Sequence, residues 1–393
     1  MRMFLIVCLL ATIPSAVAAN LPEQLPGLYV QGGTLMKNGK AYRGVGANYF
    51  SLFSRMIKDP SDTSSLTNLK TLSQAGIPFV RFMACGYWPV EQNLYLTDRD
   101  AYFQRLDRVV RCAEENHIGL IPSLFWYFPT VPDVVGEHLD QYGNSNGKSI
   151  AFIRRYTEEM VQRYRNSPAI WGWEFGNEYN LDANLPAHHL YRPGCWPMLG
   201  TPGNRTKQDE LTFPQLHTAF VAFAETARKL DKTRIIISGN AIPRSSAWHN
   251  WHEGTWTEDT KSQFAEILLR DNPDPIDTIC VHIYHDAKGN YSGKANTVDA
   301  AVAAANQCAL RAGKPLFLGE FGAERQLGTR EQQRAVFDEF LQAIARHDIP
   351  LAAFWVFDLP DQKEHNVSFQ NDRAYMIELV SKLNATLSGK RSQ

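Results

Sequence analysis

Short runs of β-branched and aromatic residues alternate along this chain with longer stretches in which apolar residues recur every three or four positions. The short runs are Arg43 to Tyr49, Phe79 to Ala84, Gly119 to Phe125, Ala169 to Gly176, Thr233 to Gly239, Thr278 to Tyr284, Pro315 to Phe321 and Leu351 to Phe357, eight predicted strands. Helical period is clearest in Phe103, Leu106, Val110 and Ala113, in Ile153, Tyr156, Met160 and Tyr164, and from Phe213 through Leu216, Phe220, Phe223 and Ala227 to Leu230. Further helices are expected over Leu66 to Ala75, Gln263 to Arg270, Val298 to Ala312, Arg330 to Arg346 and Arg373 to Leu387. Eight strand-then-helix units with no Pro/Gly/Ser linker between them predict an α/β fold, the (β/α)8 or TIM barrel, with long aromatic loops after its strands. Leu28 to Tyr42, with turn signals at Gly32-Gly33 and Asn38-Gly39, reads as a short N-terminal hairpin capping the barrel floor. A doubly wound open sheet holding a dinucleotide would need a glycine fingerprint after its first strand, which Gly44-Val45-Gly46-Ala47-Asn48 does not supply.

Composition narrows the function classes. The 393 residues carry 40 Lys and Arg against 41 Asp and Glu, a net charge of -1, so there is no basic footprint for nucleic acid. Residues 1–19 place Arg2 before an apolar core from Met3 to Ile13 and end on Ala16-Val17-Ala18, the pattern of a secretory signal peptide. The apolar core is too short for a membrane anchor, which needs roughly 20 residues. The mature chain, 20–393, is expected to be secreted, soluble, monomeric and a single (β/α)8 domain. Sequons at Asn204, Asn290, Asn366 and Asn384 would accept glycans in a eukaryotic host. After signal removal Cys85, Cys112, Cys195, Cys280 and Cys308 remain, too few and too scattered for a disulfide framework or a structural zinc site. No cofactor and no metal are expected.

A barrel of this kind carries its chemistry at the C-terminal ends of its strands. Here those ends read Asn48, Arg81, Trp126, Asn177-Glu178, Asn240, His282 with Tyr284, Glu320 and Trp355. Two carboxylates converging on one mouth suit glycoside hydrolysis, where one carboxyl is held protonated for the leaving oxygen and the other is ionised. Glu174 lies four residues before Glu178, about 13 Å deeper along a strand, and belongs to the barrel interior. Glu324 falls past its strand.

The segments WGWEFGNEYN (Trp171 to Asn180), HIYH (His282 to His285), LGEFGAE (Leu318 to Glu324) and FWVFD (Phe354 to Asp358), in that order, resemble the signatures of glycoside hydrolase family five of clan A. The resemblance runs from Tyr42 to Asp358. It implies a retaining mechanism on a β-linked sugar, with Glu178 as acid/base and Glu320 as nucleophile. Physical need adds the supporting roles. Burial among Trp171, Trp173 and Phe175 would raise the Glu178 pKa, and Arg81 and the Tyr284 hydroxyl would donate to Glu320. Asn177 would hold the sugar 2-OH, His282 would orient the acid/base, and Trp355 would form the floor under the ring. Among the aromatic loops, Trp88, Trp126 and Trp248 are candidate substrate-binding residues, since sugar C–H faces stack on such rings.

Cellulase branches of the family carry a His at the end of the third strand. This chain has Pro122-Ser123-Leu124-Phe125-Trp126 there, which looks more like the mannan-degrading branches. The expected function is therefore an endo-β-1,4-mannosidase, with an endo-β-1,4-glucanase as the alternative. A transglycosylase and a catalytically silent carbohydrate-binding barrel are the readings of another class.

Overall fold

A computed structural model describes residues 25–285, 291–293 and 295–389; the signal-peptide stretch and the sequon at Asn290 lie outside them. All eight predicted strands are present as β4 (Gly44–Asn48), β5 (Phe79–Met83), β6 (Gly119–Phe125), β7 (Gly172–Gly176), β8 (Ile235–Ile237), β9 (Ile279–His282), β10 (Leu316–Phe321) and β11 (Leu351–Phe354). They pair in parallel in the order β8-β7-β6-β5-β4-β11-β10-β9, so chain neighbours are sheet neighbours and the first barrel strand meets the last. The remaining seam, between β8 and β9, is closed by a single Ile237–Thr278 bridge, and the Asp277 carboxylate accepts the Ile236 N–H at 3.0 Å where a ladder carbonyl would otherwise stand. The fold is the (β/α)8 barrel.

Helices alternate with the strands as the apolar period requires: Ser64–Gln74, Arg99–Glu115, Lys148–Tyr164, Phe213–Leu230, Lys261–Arg270, Val298–Arg311, Arg330–Arg346 and Tyr375–Gly389. The predicted faces are the buried ones. Phe103, Leu106, Val110 and Ala113 are buried, as are Ile153, Tyr156, Met160 and Tyr164. Thr260 and Thr329 cap their helices, each accepting an N–H from the glutamine three residues on.

The predicted N-terminal hairpin is instead a three-stranded antiparallel meander, β1 (Tyr29–Gln31), β2 (Thr34–Lys37) and β3 (Lys40–Ala41), because each of the two glycine turns reverses the chain once. It does cap the floor. Leu28, Leu35 and Tyr42 pack against Phe79, Ile121, Trp171, Ile235, Phe317 and Leu351, which come from the N-terminal ends of the barrel strands or just before them. Among the described residues the five cysteines are unpaired thiols.

Candidate active site

Glu178 stands two residues beyond the end of β7, in left-handed backbone at φ 54°. That conformation costs a side-chain-bearing residue about 1–2 kcal/mol, and two neighbouring strand ends hold it. The Asn177 N–H donates to the Trp126 carbonyl at 3.2 Å and the Glu178 N–H to the Gly239 carbonyl at 2.9 Å. Gly239 can approach so closely because it has φ 75° and no Cβ, which would collide with the Gly176 carbonyl. Glu320 lies inside β10, facing inward, with its carboxylate almost wholly buried.

Arg81, fully buried on β5, ties the barrel layers together. Its Nε–H is shared by both Glu174 oxygens at 2.8 and 2.9 Å, Nη1–H donates to Glu320 Oε1 at 2.8 Å and to Asn48 Oδ1 at 3.0 Å, and Nη2–H donates to Asn177 Oδ1 at 2.8 Å. The Tyr284 hydroxyl donates to the other Glu320 oxygen at 2.6 Å. His282 Nδ1 lies 2.9 Å from Glu178 Oε1. Its Nε2 is buried without a hydrogen-bond partner, which is tolerable for a bare nitrogen and costly for an N–H. The proton therefore sits on Nδ1 and donates to Glu178, leaving the second Glu178 oxygen for the cavity.

Electrostatics separate the two acids. Burial pushes the Glu178 carboxyl up to about 7, with the Arg81 charge pulling weakly the other way. Burial, joined by the neighbouring Glu178 charge, also raises Glu320, but the Arg81 guanidinium and the Tyr284 hydrogen bond oppose that rise. Burial drives His282 down to about 3, so its ring is neutral at physiological pH. One oxygen of Glu178 and one of Glu320 lie within 4.8 Å of each other. So close an approach is compatible with the carboxyl separation of about 5 to 5.5 Å in retaining pairs. Glu178, His282 and Glu320 could in principle offer three donor atoms to a cation. Both Glu320 oxygens, however, already accept hydrogen bonds, one from the Arg81 guanidinium and one from the Tyr284 phenol.

These groups open into a cavity of about 590 Å³ whose wall includes Asn177, Glu178, Tyr284, Glu320, Trp88, Trp126 and Trp355. Trp126 and Trp355 stack at 6.0 Å between centroids, the Arg81 guanidinium lies 4.5 Å from the Trp126 ring centroid, and the Trp355 indole donates to Gln362 at 2.7 Å. Nine of the ten candidate residues thus meet in or directly beneath one site. Trp248 does not: on the short helix Ala247–Glu253 it stacks on His252 and donates to Glu266 at 3.1 Å, away from this cavity. The expected burial of Glu178 among Trp171, Trp173 and Phe175 also has a different source. Trp171 packs in the floor, Trp173 donates outward to Asp231 at 2.9 Å, and Phe175 meets the helix at Phe220.

Several cavity residues had no signal in the sequence. Lys58 and Glu91, an ion pair at 3.2 Å, come from the first two mouth loops, while Asp361, Gln362 and His365 come from the last. Glu324, set aside as lying past its strand, is nevertheless in the wall and 9% exposed. Asn48, legible only as a strand end, donates to the Gly319 carbonyl at 2.8 Å and fixes Arg81 from the other side.

The Arg81 arrangement makes a direct prediction for stability. Arg81→Met leaves Glu174 buried without its cation, an uncompensated charge that costs about 3–5 kcal/mol. Urea unfolding followed by tryptophan fluorescence should show that loss, and a variant as stable as the parent would remove the hub role.

A parallel barrel with two close carboxylates, one just past the end of its fourth strand and one on its seventh, is an arrangement that glycoside hydrolysis can use. The chain belongs to glycosyl hydrolase family 5, whose Cellulase model matches residues 40–358. It is 27% identical over 228 residues to mannan endo-1,4-beta-mannosidase A of Emericella nidulans, covering 56% of this chain and 48% of that protein. With mannan endo-1,4-beta-mannosidase A of Podospora anserina it shares 36% identity over 81 residues, 19% of this chain and 21% of that one. The chain therefore spans about half or less of the length of the curated relatives it matches. The endo-1,4-beta-mannanase of Rhizomucor miehei has the same fold, with a TM-score of 0.65 and 17% identity over 92% of this chain and 99% of that one.

Proposed function

We propose that the protein is a secreted endo-β-1,4-mannosidase that works with retention, residues 20–393 forming its catalytic domain. The observation that carries the hydrolytic reading is the pair Glu178 and Glu320, close together yet differently held: one with a raised pKa and an oxygen toward the cavity, the other clamped by Arg81 and Tyr284. Glu320 attacks the anomeric carbon while Glu178 gives its proton to the departing glycosidic oxygen. Glu178, now ionised, then takes a proton from water, and that water releases the sugar from Glu320. His282 holds Glu178 in position. Asn177 gives its Oδ1 to Arg81, which turns its NH2 toward the cavity and the sugar 2-OH. Trp355 lies under the sugar ring, and Trp88 and Trp126 border it.

Mannan is favoured as the backbone because the relatives above are named for it and because Trp126 occupies the place where cellulase branches carry a His. The family description, Cellulase, is the ground for the glucan alternative. Reducing-sugar release from soluble mannan, glucomannan, carboxymethyl cellulose and xylan, by the parent and by Glu320→Gln, tests both. The parent is expected to cut mannan and glucomannan and the variant nothing. Cleavage of carboxymethyl cellulose alone would move the reading to glucan, and binding without cleavage would leave a transfer or binding role. Export belongs to the same reading, supported by the pattern of residues 1–19. Among the described residues no helix is long and apolar enough to cross a membrane. Protein recovered from the medium is expected to begin at Asn20.

A further inference from the structure

Of the large apolar side chains left exposed among the described residues, Leu190, Tyr191, Trp196 and Met198 fall within nine positions of one loop, and Trp256 lies on the next. Tyr191 and Trp256 are 46% and 52% exposed and meet edge to face, with ring centroids 6.4 Å apart and planes at 63°. Neither ring belongs to the cavity that holds Glu178 and Glu320. Both ride on mouth loops, the first following β7 and Glu178, the second following β8, so the platform is continuous with the face on which the catalytic cleft opens.

A groove of about 540 Å³ runs beside the pair. Its wall includes His188, whose carbonyl accepts the Tyr191 N–H at 2.9 Å, and Gly254, two residues before Trp256. Asn184 and Gln208 add amides, and Asp140, Lys207 and Glu210 add charged groups. Glu210 is paired with Arg192 at 3.1 Å, which leaves Asp140 and Lys207, one charge of each sign, on the wall. Splayed aromatic faces beside a groove of amides, an imidazole and charges that balance are amphipathic in the way a sugar is, with C–H faces for the rings and hydroxyls for the polar wall.

We propose that Tyr191 and Trp256 form a second binding site for a neutral β-linked polysaccharide chain, outside the catalytic cavity and on the same face. The site holds the polymer against the mouth and raises turnover of long or insoluble chains; short oligosaccharides, which fill the cavity alone, do not need it. The proposal rests on the polysaccharide reading above. The test compares Glu320→Gln with the triple variant that also carries Tyr191→Ala and Trp256→Ala, by affinity electrophoresis in gels containing glucomannan. In parallel, Tyr191→Ala/Trp256→Ala is compared with the parent on insoluble mannan and on soluble manno-oligosaccharides.

Removing both rings should weaken retardation about tenfold. The ratio of the insoluble-mannan rate to the oligosaccharide rate should fall about fivefold. Unchanged retardation overturns the site, and so does a parallel fall of both rates, which would make the rings part of the cleft or of the fold. Light scattering that finds a parent dimer and a variant monomer also overturns it, because the platform would then cover a second copy. A parent that is retarded through these rings yet cuts no polymer would sink the hydrolase reading and leave this site standing.

Discussion

Glu320→Ala is expected to abolish cleavage of mannan, with kcat/KM down by about 10⁴-fold or more, equivalent to at least roughly 5.5 kcal/mol of transition-state stabilisation. The reason is geometric. Glu320 is almost wholly buried at the mouth, with Arg81 on one oxygen and Tyr284 on the other, so the carboxylate is aimed and charged before substrate arrives. Alanine leaves a space beneath the anomeric carbon on the face opposite the leaving group. Azide fits that space, attacks the carbon directly and should restore turnover of an activated aryl β-glycoside, giving the α-glycosyl azide. NMR of the product separates the possibilities: an α product assigns the nucleophile to Glu320, and a β product or no rescue in a folded variant removes the assignment. Arg81 and Glu174 are retained in this variant, so its unfolding midpoint should stay near that of the parent.

The eight-fold alternation was legible because every strand is buried and every helix is amphipathic, so each element writes its own period into the chain. The strand ends were less legible. The fourth strand was expected from Ala169 and begins its ladder at Gly172; Ile170 makes only an isolated bridge to Leu120. The eighth leaves the sheet at Phe354, before the expected Phe357, and turns Trp355 under the site. Candidate chemistry was legible where a residue sits at the end of a strand, since direction there follows from period two and from the closure of the barrel. It was not legible in the loops, where side-chain direction is set by contacts distant in sequence. Trp248 and Trp88 looked alike as loop tryptophans, yet one is held by Glu266 on the outside and the other lines the cavity. The double duty of Arg81 was equally hidden, because Glu174 and Glu320 lie 93 and 239 residues from it.

Glu178→Ala is expected to slow mannan cleavage by about 10² to 10⁴-fold, the range that general acid catalysis contributes. An aryl β-glycoside whose phenol leaves without protonation should keep kcat/KM within about threefold, because only the proton donor is lost. Turnover of that substrate will then stall at the glycosyl-enzyme, which lacks a base to activate water. Azide, needing no base, should relieve the stall and give the β-glycosyl azide, opposite in configuration to the product from Glu320→Ala. The pH profile supplies an independent check. Burial raises the Glu178 carboxyl to about 7, so the proton-bearing form prevails below that pH and is lost above it. For the parent, kcat/KM on mannan should fall tenfold per unit on the alkaline side of about 7. The acid limb should lie above the ordinary glutamate range, because burial also raises Glu320, which must be ionised to attack. In Glu178→Ala, assayed on the activated substrate, the alkaline limb should vanish and the acid limb remain. An alkaline limb that persists in the variant would assign it to another group, and equal losses on both substrates would take the acid role away from Glu178.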